Sequence, residues 1–134
     1  MEDSIFTKII KGEIPCHKIY EDEQVLAFLD IFPDEEGHTL LIPKQQIDKI
    51  YDLDDNAYIY LWLIAKKLAL HYEKTLGRRV IFKVIGVDVP HAHIHIVPYD
   101  PANHSHHAEH YVDKRSKEPN HEELAKVAER LRLS

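Results

Sequence analysis

Three histidines alternate with apolar residues in segment 89–98, and this alternation constrains the fold more than any other feature of the sequence. Strict alternation over several residues is typical of a β-strand with one buried face, because successive side chains of a strand point to opposite faces. His91, His93 and His95 are therefore predicted to share one face, about 6.5–7 Å apart at a rise of ~3.3 Å per residue. The apolar residues between them would pack into a core, and a proline at each end would bound the strand.

Three aligned histidines are difficult to explain by packing alone. A buried imidazole needs hydrogen-bond partners, so such a row lowers stability unless it forms a site or lies on an exposed face. One chemical interpretation is a metal site, because His-x-His on a strand can converge on one zinc ion. The other is metal-free catalysis, in which one imidazole is the nucleophile and the others donate protons and orient it.

The composition predicts one globular domain over residues 1–134. The chain is 44% hydrophobic and 30% charged, which is typical of a soluble protein with one core. Its net charge of −6 argues against a general nucleic-acid binder. The lone Cys16 fits a reducing compartment. Because no signal peptide or membrane-spanning segment is recognisable, we expect a cytoplasmic protein without a membrane or nucleic-acid partner.

Apolar periodicity and turn residues divide the chain into short strands and helices. A helix is predicted from residue 5 to about residue 11, after an N-cap at Ser4 and before Gly12. The other predicted elements are strands at 18–20, 24–31, 38–43 and 80–85 and helices at about 52–77 and 119–133. Strands joined by short loops predict an α+β fold with a mostly antiparallel sheet. The four histidines within 104–110 are predicted to lie in a solvated loop, with chelation as the less favoured alternative.

The chain resembles the histidine triad (HIT) family, whose signature is His-φ-His-φ-His-φ-φ with φ apolar. Residues 91–97 fit this signature at every position. Segment 6–15 resembles the N-terminal helix of the family, and segments 26–31 and 37–44 resemble its central hairpin. The resemblance covers residues 4 to about 99, whereas the C-terminal loop and helix at 100–134 correspond to a more variable part. It implies a HIT-like fold and a homodimer in which the sheets of two protomers join.

The resemblance also implies hydrolysis of a purine nucleotide at its α-phosphate, through a nucleotidyl-histidine intermediate and without a required cofactor. His93 is the implied nucleophile, and His95 is implied to contact the phosphate and to help protonate the leaving group. His91 belongs to the implied orienting network, and His38 supports the triad. Asp30 is the implied ligand of the ribose hydroxyls, with a turn or capping role as the alternative. The residues implied to form the apolar walls around the base, or else plain core, are Ile5, Phe6, Ile9, Phe28 and Ile31.

Two parts of the sequence depart from the family pattern. Many members carry an Asn and a Gly-Gln-Ser segment before the triad that contact the phosphate, but here the segment 85–89 is shorter and contains Asp88. A carboxylate beside a phosphate is unfavourable unless it faces away or binds a histidine. Some bacterial members bind structural zinc through Cys-x-x-Cys and a later histidine. Ser4, Thr7 and Gln46 occupy those positions, so we expect neither that zinc site nor a metal at the triad.

These observations favour a metal-independent nucleotidyl hydrolase that acts on purine nucleoside phosphoramidates or dinucleoside polyphosphates and releases an AMP-type product. The altered segment before the triad supports an alternative, a nucleotide-binding regulatory module with weak or no turnover. A zinc enzyme built on the three histidines is a further alternative, which predicts bound metal and inhibition by a chelator. The sequence does not separate phosphoramidate, polyphosphate and nucleotidyl-sulfate substrates.

Overall fold

The computed structural model describes residues 2–102 and 118–133 of the chain, so the predicted loop at 104–110 lies outside the described residues. The described helices are α1 (Ile5–Ile10), α2 (Asp55–Leu76) and α3 (His121–Leu131), with a 3-10 turn at Ile50–Asp52. The described strands are β1 (Lys18–Glu21), β2 (Val25–Leu29), β3 (Thr39–Pro43), β4 (Val80–Lys83) and β5 (Ile94–Pro98). Each helix and strand predicted from the sequence is present, and the differences are confined to the ends of the elements.

The strands form one antiparallel sheet in the order β1-β2-β3-β5-β4. The predicted hairpin joins β2 to β3, with Ala27 opposite Leu41. Strand β5 then pairs with both β3 and β4, so His95 lies opposite Leu40 on one side and opposite Lys83 on the other. The antiparallel sheet with its helices confirms the predicted α+β fold.

Strand β2 is buried on both faces, which explains its uninterrupted apolar sequence. Val25, Ala27 and Leu29 belong to the larger core, which the sheet forms with α2 and α3. Leu26 and Phe28 point to the opposite face and belong to a smaller core under α1. Because side chains alternate along a strand, one five-residue segment supports both cores. The smaller core is the floor of the candidate site.

Helix α1 is short and depends on its N-cap. The Ser4 hydroxyl accepts a hydrogen bond from the Thr7 amide at 3.0 Å, which satisfies one of the amides that have no partner within the helix. The chain then leaves the helix through Gly12, whose φ of +80° favours glycine. Both ends agree with the sequence prediction.

Helices α2 and α3 cover the other face of the sheet. Asp54 caps α2, Gly77 ends it in the left-handed conformation at φ +67°, and Asn120 caps α3. The buried side chains of α2 are Leu61, Ile64, Ala65, Leu68 and Tyr72, which recur every three or four residues and form the apolar face of the helix. The apolar face of α3 is buried as well and consists of Leu124, Val127, Ala128 and Leu131. None of the described helices combines the length and the apolar character that crossing a bilayer requires.

The prediction that all three histidines lie on one strand is wrong for two of them, because β5 begins only at Ile94. Before that residue the chain leaves the ladder, and the Ala92 amide donates to the Ile47 carbonyl in the loop after β3 at 2.7 Å. The His91 amide bonds to the Val89 carbonyl at 2.8 Å, which closes a tight turn around Pro90. Long-range backbone partners therefore override the local alternation in this segment.

Candidate active site

A cavity of about 380 Å³ lies on the α1 face of the sheet and is open to solvent. His93 and His95 line it, with their ring centroids 5.0 Å apart. Asp30 lines it as well. The apolar residues that the sequence assigned to the base site all contribute to its walls, namely Ile5, Phe6, Ile9, Phe28 and Ile31. His91 and His38 stand behind the lining and contact it through hydrogen bonds.

Helix α1 places an aromatic side chain against the histidines. Phe6 is buried and contacts the edge of Phe28 at a centroid distance of 5.6 Å. The same ring packs against His93 at 5.1 Å and against His91 at 5.8 Å, in edge-on geometry. Edge-on contacts of this kind are favourable and directional, so Phe6 helps to fix both imidazoles.

His93 has one ring nitrogen engaged and one available. Its Nδ1 lies 2.7 Å from the His91 carbonyl oxygen. Because a carbonyl only accepts, Nδ1 carries the proton and the Nε2 lone pair of the neutral ring stays available. Burial lowers the pKa of His93, and this effect outweighs the opposing hydrogen bond to His91 and the nearby Asp88 carboxylate. The imidazole is therefore neutral near neutral pH, and its Nε2 lone pair could act as a base or as a nucleophile.

His91 points away from the cavity and supports the backbone behind it through buried hydrogen bonds. Its side chain is fully buried, with Nε2 2.8 Å from the Pro43 carbonyl and Nδ1 2.7 Å from the Ser4 hydroxyl. The carbonyl requires the proton on Nε2, so Nδ1 accepts from the serine. Burial lowers the pKa of His91, with the Pro43 hydrogen bond acting in the opposite direction. This neutral ring fixes the backbone whose carbonyl holds His93.

The residues at the family's zinc-ligand positions form a hydrogen-bonded cluster behind His91. The Thr7 hydroxyl donates to Gln46 Oε1 at 2.5 Å, and the Ser4 amide donates to the same oxygen at 2.8 Å. Gln46 Nε2 in turn donates to the Glu2 carbonyl at 2.9 Å. Hydroxyl and amide groups do not suit structural zinc, which prefers cysteine sulfur and histidine nitrogen. These residues do not fit the family's zinc.

His38 and His95 form a second hydrogen-bonded pair. The Asp34 amide donates to His38 Nδ1 at 3.0 Å, so the His38 proton lies on Nε2, which donates to His95 Nδ1 at 2.9 Å. This arrangement leaves the proton of His95 on Nε2. Burial lowers the pKa of His95 to about 4, with His93 and Lys83 contributing in the same direction. In the free site His95 is a neutral hydrogen-bond donor.

Asp30 forms a turn contact and also lines the cavity, and the ribose role implied for it stays a prediction. Its Oδ1 accepts from the Phe32 amide at 2.8 Å, which is a turn-forming contact. Its Oδ2 lies 3.6 Å from His38 Nε2, and the residue also lines the cavity. Asp30, His38 and His95 each offer a metal-ligand atom within 4.8 Å of the others, and among the described residues they form the one such group. These atoms could hold a metal ion, although the two imidazoles already bond to each other.

Sequence reasoning missed part of the cavity wall. Ile14, Pro15 and Cys16, in the segment between α1 and β1, line the cavity together with Phe32 and Leu40. Burial raises the pKa of the Cys16 thiol, which makes it a packing residue and not a reactive one. The apolar character of 14–16 was the available signal, but nothing local showed which face it would cover. The altered segment contributes Ile85, Gly86, Asp88 and Val89.

A family model described as the HIT domain matches residues 11–102. This protein belongs to the HIT family. The matched range contains the whole sheet and both histidine pairs of the site. Family membership and its fold are therefore established, whereas the prediction that residues 1–134 form a single domain stays a prediction.

Individual relatives support the assignment. The HIT protein is 40% identical over 103 residues to the Bacillus subtilis protein hit, covering 72% of this chain and 71% of the relative. It is 38% identical over 96 residues to the adenosine 5′-monophosphoramidase hnt1 of Schizosaccharomyces pombe, covering 70% and 72%. The crystal structure of a Hit-like protein involved in cell-cycle regulation from Bartonella henselae superposes with a TM-score of 0.80 at 28% identity, covering 97% and 95%. In general terms, these similarities support nucleotide binding or hydrolysis.

Proposed function

We propose that this HIT protein is a metal-independent nucleotidyl hydrolase that cleaves purine nucleoside phosphoramidates or dinucleoside polyphosphates at the α-phosphate. The observation that carries the proposal is the state of His93, whose Nδ1–H is held by a backbone carbonyl while Nε2 is available beside the cavity. The phosphoramidase activity named for the hnt1 relative belongs to the same reaction class.

The cavity suits a nucleotide in size and chemistry. A volume of about 380 Å³ falls in the range of small-molecule sites, which are mostly apolar with a few placed polar groups. The base would pack among the apolar side chains of α1 and β2, and Asp30 would accept hydrogen bonds from the ribose hydroxyls. The phosphate would then lie beside His93 and His95, where the Nε2–H of His95 can donate to an anionic oxygen.

In the first step, His93 Nε2 attacks the α-phosphorus and forms an N–P bond while the bond from phosphorus to the leaving group breaks. The leaving nitrogen needs one proton. His95 can supply it from Nε2 only when both of its ring nitrogens are protonated. Burial opposes that state in the free site, and a proton on Nδ1 breaks the hydrogen bond that His95 accepts from His38 Nε2. A bound phosphate anion raises the pKa of a neighbouring imidazole, so substrate binding itself prepares the acid.

In the second step, water attacks the nucleotidyl-histidine intermediate. The water oxygen forms a bond to phosphorus, the N–P bond to His93 breaks, and one water proton passes to the neutral His95. The products are the nucleoside monophosphate and the released amine, and both imidazoles return to their starting states. Two displacements at an imidazole thus replace one direct attack by water, which is the advantage of a covalent nucleophile.

We further propose a homodimer, formed through the edge strand β4 and the exposed side of α2. Tyr58, Ile59 and Leu63 of α2 are exposed apolar residues, as is Phe82 of β4. Contiguous apolar side chains of this kind mark an interaction surface, and an edge strand offers unpaired backbone groups. A second copy of the chain could extend the sheet at β4 and cover the helix.

A regulatory nucleotide-binding module is the second candidate function. The observation that favours it is Asp88, a carboxylate in the lining of a cavity that would receive a phosphate. Repulsion between these charges would slow turnover without removing the base site. This candidate predicts AMP binding with little or no hydrolysis.

The decisive experiment is hydrolysis of adenosine 5′-phosphoramidate by the wild type and by His93→Ala, each with and without a chelator. We expect turnover that survives the chelator and falls at least ~10³-fold in the variant, because the nucleophile is lost. Rapid quenching followed by intact-protein mass spectrometry should reveal an adduct of one nucleotidyl group on the wild type alone.

His17→Ala is the matched control, because His17 bonds to His121 on the surface and not to the cavity. AMP binding and thermal unfolding are measured for each variant, to show that any loss of activity does not come from loss of the fold. Wild-type binding of AMP without turnover would favour the regulatory module, and loss of activity with the chelator alone would favour a metal enzyme.

A further inference from the structure

The charges that line the cavity are unusual for a site that receives an anion. Asp30 and Asp88 are carboxylates in the lining, and within the described residues no lysine or arginine lines it. The other titratable groups of the lining that face the phosphate position are His93 and His95, which burial keeps neutral near pH 7. Lys83 is the nearby cation, and it forms an ion pair with Asp34 at 2.9 Å behind His95.

The two carboxylates occupy different walls. Asp30 follows β2, where its Oδ1 bonds to the Phe32 amide and its Oδ2 lies near His38. Asp88 lies in the segment before the histidines, on an exposed stretch of backbone beside Gly86. The Asp88 carboxylate interacts electrostatically with His93 and favours the charged imidazole. The field of Asp88 therefore reaches the proposed nucleophile. Asp88 and His93 line the same cavity, so in the proposed mechanism the wall that contains Asp88 borders the position of the phosphate.

The other walls of the cavity would contact the base and the ribose, so the wall at 85–89 remains for the leaving group. The base requires the apolar side chains of α1 and β2, and the ribose lies with Asp30 if the proposed function is correct. The group attached to phosphorus on the side away from the nucleoside then meets the wall at 85–89. Except for Asp88, this wall offers apolar side chains and the glycine Gly86.

We infer that Asp88 makes the enzyme selective for nucleoside phosphoramidates whose leaving amine carries an additional positive charge, and selective against polyphosphate leaving groups. This inference rests on the proposed function and adds the substrate class within it. A distal ammonium would form an ion pair with the carboxylate, whereas each extra phosphate would add negative charge beside it. The distal ammonium keeps its proton throughout, and the reacting nitrogen takes its proton from His95 as described above.

The test compares adenosine 5′-phosphoramidates of 1,4-diaminobutane and of n-butylamine, which differ by one distal ammonium group. Diadenosine tetraphosphate supplies the anionic leaving group. We expect the wild type to prefer the diamine compound by up to about fivefold in kcat/KM, the range for an exposed charge pair. In Asp88→Asn this preference should fall to about one, while kcat/KM for the tetraphosphate rises by a similar factor.

Asp55→Asn is the control, because it removes an exposed carboxylate from the first turn of α2, on the other face of the sheet. A second readout is salt, since the wild-type preference should shrink as the ionic strength rises and that of Asp88→Asn should not change. A preference that is unchanged in Asp88→Asn would overturn the inference while leaving the hydrolase intact. If the wild type hydrolyses none of the compounds, the proposed function fails, and the ratio of their dissociation constants in the same two proteins still decides the role of Asp88.

Discussion

At the scale of single residues, the direction of the hydrogen bonds determines which ring nitrogen of each histidine in the site carries the proton. Two backbone carbonyls and one backbone amide, those of His91, Pro43 and Asp34, decide where the protons of three imidazoles lie. These backbone partners do not titrate, so they favour the same tautomers of the neutral rings at any pH. The family resemblance supplied the roles of His93 and His95, but the direction in which His91 points depends on the long-range contact with Pro43.

The buried imidazoles predict a pH dependence of stability. Burial lowers the pKa of His95 to about 4 from an ordinary value of 6.5, so between these values the unfolded chain binds more protons than the folded one. Above pH ~6.5 the neutral His95 contributes about 3 kcal/mol to the free energy of unfolding. This contribution is lost progressively as the pH falls from 6.5 through 4. Urea unfolding from pH 7.5 to pH 4 should show the decline.

Between pH 7.5 and pH 4, the free energy of unfolding of His95→Gln should fall less steeply than that of the wild type, because the titrating group is gone. His17→Gln is the control, since the pKa of His17 is also lowered but its ring lies on the surface. Equal slopes for the wild type and His95→Gln would contradict the prediction.

At the scale of elements, the described helices and the central hairpin could be predicted because their signals are local. Ser4, Asn120 and Gly77 bound helices through contacts within a few residues, and the apolar run of β2 reflects burial on both faces. The start of β5 could not be predicted, because the Ile47 carbonyl that draws Ala92 out of the ladder is distant in sequence. The wall at 14–16 was missed for the same reason.

The Ser4→Ala substitution should reduce both the stability that α1 provides and the catalytic rate that depends on the triad. The substitution removes the N-cap of α1 and the hydroxyl that donates to His91 Nδ1. We expect a loss of about 1–2 kcal/mol in the free energy of unfolding, since a cap and a buried partner are both lost. We also expect kcat to fall about tenfold through disorder at His93.

The nitrogen chemical shifts of His91 provide the readout that distinguishes positioning from stability alone. In Ser4→Ala the Nδ1 signal should move, because its donor is gone, whereas Ser4→Thr keeps the hydroxyl and should restore both the shift and kcat. Asp54→Ala is the control, since it removes the N-cap of α2 and does not touch the site. A fall in kcat of the same size in Asp54→Ala would show that stability alone is responsible.

At the scale of the whole molecule, the sheet separates two surfaces with different chemistry. One carries the cavity and the histidines, and the other carries α2 and α3 over the larger core. The edge strand β4 contributes Lys83 to the surroundings of His95 and exposes Phe82. An interface at β4 would therefore lie close to the site without blocking its mouth.

The proposed dimer predicts that Leu63→Glu is monomeric. Leu63 is 56% exposed on α2, so a charge there should leave the fold intact but be unfavourable in an apolar interface. Sedimentation equilibrium should give the mass of a dimer for the wild type and of one chain for the variant. Ala125→Glu adds the same charge to an exposed position of α3 and should remain dimeric. A wild type with the mass of a single chain would exclude the dimer.

If the proposed function is correct, the hydroxyl of Ser4 limits how this protein can diverge. This hydroxyl caps the helix that lines the cavity, and it also donates a hydrogen bond to His91, behind His93. Sequence changes that shift α1 to admit a different base therefore change the reaction rate as well, so the two properties cannot be selected separately through this helix.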